Sequence, residues 1–87
     1  MSSASEHRTD VQLARVRIGI LESHLRAIRA ETDRVADAVR AAVGDPPRVE
    51  NGRQALEAIF TLAEEIDLAA WTCGQARHQL FTYMEEL

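Results

Sequence analysis

Apolar side chains recur along the first half of the chain at alternating steps of three and four. The series is Val11, Ala14, Ile18, Leu21, Leu25, Ile28, Thr32, Val35, Val39 and Ala42, and Thr32 is its only polar member. Such steps draw one stripe down an α-helix in a heptad pattern. A second series does the same: Ala55, Ile59, Leu62, Ile66, Ala69, Cys73, Ala76, Leu80, Tyr83 and Leu87. Thr9 followed by Gln12, and Asn51 followed by Gln54, read as capping boxes at the two helix starts. Gly44 stands where a left-handed C-cap belongs, and Pro46 and Pro47 forbid continuation. The stretch GDPPRVENG between them is turn chemistry throughout.

The pattern predicts an all-α fold. Residues 1–9 form a flexible N-terminal segment, and 10–87 form one antiparallel two-helix hairpin. Helix 1 runs over about 10–43, the linker over 44–52 and helix 2 over about 53–86. Each helix of about 33 residues spans roughly 50 Å at 1.5 Å per residue. Setting Ala42 beside Ala55 at the turn brings Val11 beside Leu87 at the open end, so the two stripes serve as the hairpin seam. Thr32, the polar seam residue, is expected to fix register.

Each helix carries a further apolar stripe that one seam does not cover. Helix 1 adds Leu13, Val16, Ile20 and Ala27, and helix 2 adds Leu56, Phe60, Ala63, Ala70, Phe81 and Met84. Apolar stripes of that length mark an interface. The expected partner is a second copy, giving a homodimeric four-helix bundle with Leu13, Val16, Ile20, Leu56, Phe60, Ala63, Ala70, Phe81 and Met84 at the interface. A heterodimer with another helical protein is the rival pairing.

Composition narrows the function classes. The chain has 87 residues, 46% of them hydrophobic and 5% aromatic, which suits close helix packing within one small domain. Fourteen acidic residues against ten basic ones give a net charge of −4, and every basic residue is Arg. An Arg-only basic set is a composition common in actinobacteria. The acidic balance and the long helices argue against a nucleic-acid partner. Residues 8–29 hold five Arg and two acids, whereas 53–67 hold one Arg and four acids, an asymmetry suited to orienting one hairpin on another. One Cys makes no intrachain disulfide, and no apolar run is long enough to span a bilayer. The polar opening MSSASEHRT is no signal peptide, so a cytoplasmic location is expected, with signal-less secretion as the other route.

Candidate chemistry gathers in DLAAWTCGQARH, residues 67–78. Cys73 with His24 and His78 is the one candidate metal set, in a ligand chemistry that zinc accepts. Cys73 falls on the seam, however, where a free thiol acts as a small hydrophobe. No activating base, oxyanion hole or Gly-rich loop accompanies it, so neither catalysis nor a cofactor is expected. Leu68 and Trp71 fall opposite the seam and form a candidate anchor for a partner. Gly19 and Gly74, both mid-helix, suggest close helix approach or a bend.

Two resemblances are visible. SHLRAI, residues 23–28, resembles the phospho-accepting His box of histidine-kinase dimerisation domains, which are also dimeric helical hairpins. There an acid follows the His and a Pro comes soon after; here Leu25 follows His24 and helix 1 has no Pro. In size and shape the chain is similar to the small secreted helical hairpins of actinobacteria, which pair as four-helix dimers. Their Trp-x-Gly turn reads here Trp71-Thr72-Cys73-Gly74 inside helix 2, and their Tyr with an acid four residues later reads Tyr83 and Leu87. The reading is a non-enzymatic helical protein that acts through protein–protein contact.

Overall fold

The structure, a computed structural model, describes residues 3–87. Two helices account for nearly all of it, α1 (Ala4–Val43) and α2 (Glu50–Glu85), packed antiparallel into a hairpin 64 Å long and 17 by 16 Å across.

Helix α1 begins six residues before the expected start. Ser3 is its N-cap: the Ser3 hydroxyl accepts from the Glu6 amide, and the Glu6 carboxylate accepts from the Ser3 amide, each at 3.1 Å. This reciprocal pair satisfies two orphan donors and outcompetes Thr9, whose hydroxyl instead donates back to the Ser5 carbonyl. The expected flexible segment is therefore helical from Ala4 onward, and Met1 and Ser2 lie outside the described residues. At the other end Gly44 closes the helix with φ 96° and ψ 160°, its N–H donating to the Arg40 carbonyl. The positive φ is the glycine-specific feature, although the residue is extended and not a compact left-handed turn.

Helix α2 also starts early, at Glu50, with Val49 as an N-cap that offers no side-chain bond. Asn51 is thus inside the first turn and is not its cap. The cause is packing. Gly52 is buried in that turn, and a Cβ there would stand 3.0 Å from the Val43 Cβ. Of the helical glycines, Gly52 is the one crowded by the other helix, and the mid-helix pair is not. A Cβ on Gly19 would meet the Arg77 guanidinium at an ordinary 3.5 Å, and one on Gly74 would meet no described atom within 4 Å. Gly74→Ala is accordingly expected to raise stability by about 1 kcal/mol, from helix propensity alone. Gly52→Val is expected to lower it by about 2 kcal/mol, through overpacking against Val43. Urea unfolding of the two variants at one protein concentration checks both signs.

The seam lies one residue round from the expected stripe. In α1 it runs through Val11, Arg15, Ile18, Glu22, Leu25, Arg29, Thr32, Ala36, Val39 and Val43, all buried or half-buried. In α2 it runs through Gly52, Leu56, Ile59, Ala63, Ile66, Ala70, Cys73, Arg77, Leu80 and Met84. Five of the ten expected stripe residues of α1 and four of the ten of α2 are retained. Of the rest, Leu21, Ile28, Val35, Leu62 and Tyr83 are exposed, whereas Ala14, Ala69 and Ala76 are half-buried. Leu56 and Ala63, expected at a dimer interface, are instead 6% and 5% exposed against α1 of the same chain, and Ala70 and Met84 are half-buried there. Thr32 is buried with its hydroxyl donating to the Ile28 carbonyl of its own helix, so it makes no bond across the seam.

Candidate functional site: an uncovered apolar ladder

Rotating the seam moves apolar residues onto one flank of the hairpin. Ala14, Leu21, Ile28, Val35 and Ala42 precede every second seam residue of α1, and Ala55, Leu62, Ala69, Ala76 and Tyr83 do the same on α2. In an antiparallel pair, positions equivalent in the heptad lie on the same side. The two series therefore form a single two-rail ladder along the length of the hairpin. At its open end Tyr83 meets His7 edge-on, with a 2.6 Å hydrogen bond between the Tyr83 hydroxyl and His7 Nε2. The large rungs are open to solvent: Leu21 is 51% exposed, Ile28 50% and Leu62 48%. No charged residue interrupts either rail.

The opposite flank is polar. Phe60 and Phe81 stand there, each capped by a guanidinium, Arg40 at 5.0 Å and Arg15 at 4.9 Å from the ring centroid. These two phenylalanines were expected at the dimer interface; cation–π contact and the polar surroundings set them apart from the ladder. A groove of about 310 Å³ between Arg29, Asp33, Asp37, Arg40 and Phe60 runs along this flank. Leu13, Val16 and Ile20, also expected at the interface, lie outside the ladder and are half exposed, Leu13 and Val16 beside Met84 of α2.

The seam between the flanks carries charge. Glu22 is only 6% exposed, its Oε1 accepting from Arg26 at 2.6 Å. Arg77 reaches across from α2 to place Nη1 3.2 Å from Glu22 Oε2, an atom with no hydrogen-bond partner among the described residues. Arg29, half-buried in the seam, donates to Asp67 at 2.9 Å and also pairs with Asp33. The hydrogen bond to Asp67 is the main cause that raises the Arg29 guanidinium above its ordinary value. At the start of α2, hydrogen bonding to Arg53 holds the Glu50 carboxyl below its usual range, and Arg53 is raised in turn. A carboxyl held low adds stability above its unfolded value and loses it as pH falls through the folded one, so this pair contributes at neutral pH and its contribution is lost in acid. It is solvent-exposed, and its contribution is small.

The candidate metal set does not converge. His24 is exposed at the outer rim of the ladder, Cys73 is half-buried in the seam, and His78 is exposed beside Arg15, Gly74, Arg77 and Phe81. His24 and Cys73 share a level along the hairpin, but they lie on different faces. Among the described residues no group of three His, Cys, Asp or Glu side chains is placed to hold a metal ion. Leu68 and Trp71 point outward from the back of α2, Trp71 63% exposed. Among the described residues no helix is long and apolar enough to cross a membrane.

The fold and its uncovered flank define a helical hairpin of two long helices. No known family, curated protein or solved structure matches the chain.

Proposed function

We propose that this chain is a non-enzymatic helical protein that works through protein–protein contact, and that it pairs with a second copy through the ladder to make a four-helix bundle. The observation that carries this reading is the ladder itself. Helices of bundles are apolar on the two seam positions and on one adjoining position, which faces the bundle core. Here that adjoining position is filled by Ala, Leu, Ile, Val or Tyr once in every heptad, from Ala14 to Ala42 on one helix and from Ala55 to Tyr83 on the other. Isolated soluble chains rarely expose an apolar patch of such length. Leu68 and Trp71, on the back of α2, supply an anchor for a further partner that pairing through the ladder leaves free.

Sedimentation equilibrium at micromolar concentration tests the reading. The expected mass is twice the chain's 9.7 kDa. A single-chain mass overturns the homodimer and reassigns the ladder to another helical protein.

A further inference from the structure

We infer that the second copy lies head to tail on the first, the turn of one hairpin over the open end of the other, with α1 packed on α1 and α2 on α2. This inference rests on the ladder being the pairing face, and it concerns the geometry that charge imposes there.

The available face suits a second copy. A flank 64 Å long and about 17 Å wide offers about 1,100 Å² per copy, so a face-to-face pair buries about 2,000 Å², within the range of specific, stable interfaces. Such a pair has two symmetric arrangements. With the two-fold axis along the bundle, the turns lie together and α1 packs on α2 of the second copy. With the axis across the bundle, the turns lie at opposite ends.

Charge separates the two. Residues 30–66, the half nearest the turn, hold eight acidic residues and four Arg, and so carry the whole net charge of −4. The open half holds six of each sign and is neutral. Turns together would set the two acidic halves side by side; head to tail sets each against a neutral half.

The rim of the ladder discriminates in the same direction. Arg17, His24 and Glu31 edge it on α1, and Glu65 edges it on α2, all exposed. The pairing of Arg29 with Asp67 fixes which residues share a level along the hairpin, and it puts Glu31 level with Glu65. Turns together would therefore bring Glu31 against Glu65 of the second copy, twice. Head to tail, full overlap of α1 centres on residues 23 and 24, so Arg17 faces Glu31 of the second copy and Glu31 faces its Arg17. Like charges directly opposed at an interface select against a register, and opposite charges select for it.

The experiment is a turn-to-turn distance. Asp45→Cys in a Cys73→Ala background carries one spin label per chain, in the exposed linker, and Arg48→Cys is a second site in the same turn. Pulsed electron spin resonance on the dimer is expected to give a distance near the 64 Å length of the hairpin. A distance of about 20 Å, two helix diameters, overturns the head-to-tail geometry while leaving the dimer in place. A single-chain mass for the labelled protein overturns the pairing itself, and with it this inference.

Discussion

Leu21→Glu is expected to leave the hairpin helical and to weaken self-association about a thousandfold, as read by sedimentation across a concentration series. The side chain is half exposed in the hairpin, and Glu is a good helix former, so the lone chain loses little. In the paired state the same position is covered. Losing the remaining apolar burial and placing a carboxylate in the interface costs about 2 kcal/mol per site. Symmetry makes the substitution appear twice, giving about 4 kcal/mol, and each 1.4 kcal/mol is tenfold in the dissociation constant. Adding Leu62→Glu on the other rail is expected to leave only single chains at micromolar concentration. Leu68→Glu is the control: it removes a more exposed leucine from the back of α2, where neither the seam nor the ladder is touched. If Leu68→Glu dissociated the dimer and Leu21→Glu did not, the pairing face would be the wrong one.

The second large effect is expected inside the hairpin. Arg77→Ala strips the cross-helix charge from Glu22 and leaves a carboxylate, 6% exposed, with Arg26 as its remaining partner. Breaking a buried pair by removing one partner costs several kcal/mol; Arg77 is itself 41% exposed, which reduces the expected loss to about 2 kcal/mol. Glu22→Leu acts in the opposite direction. It replaces a poorly satisfied buried acid by an apolar side chain of similar size, and stability is expected to hold or to rise by about 1 kcal/mol. In that background Arg77→Ala should cost less than about 0.5 kcal/mol, since an exposed Arg with no carboxylate to serve contributes little. Urea denaturation of the four proteins closes the double-mutant cycle. A cost for Arg77→Ala that is independent of residue 22 would assign Arg77 to packing alone.

The same residues explain what could be read from the sequence. Two long helices joined by an antiparallel turn at Gly44 to Val49 follow from apolar periodicity and turn chemistry, and the structure has them. The face was not legible. An apolar arc at steps of three and four is wide enough to hold two neighbouring stripes, and periodicity does not say which one meets the other helix of the hairpin. Counting Arg15, Glu22, Arg29 and Arg77 as surface residues puts the seam on the stripe without charges. The aliphatic stems of the three arginines line the seam while their guanidinium groups reach carboxylates or carbonyls, and Glu22 is buried only because Arg26 and Arg77 come to it, which a polarity count cannot represent. The usable signal was the cross-helix match of Glu22 with Arg77, and of Arg29 with Asp67, once the helices are set level. The early start of α1 was also within reach. Ser3 and Glu6 fit a capping box as well as Thr9 and Gln12 do, but they lie ahead of the first apolar step. Gly52 read as linker because glycine punctuates turns; its role as a contact for Val43 depends on a neighbour nine residues away.

The slenderness of the hairpin governs how it travels through a column. A rounded chain of this length has a radius of gyration of about 12 Å, against 19.4 Å for this rod. A lone hairpin therefore elutes well ahead of its mass, at a volume where a compact protein of larger size is expected. Pairing along the flank doubles the mass while leaving the length nearly unchanged, so the particle becomes stouter and its drag per unit mass falls. Retention shifts little between the two states, and only methods that weigh the particle, such as light scattering or sedimentation equilibrium, can count its copies.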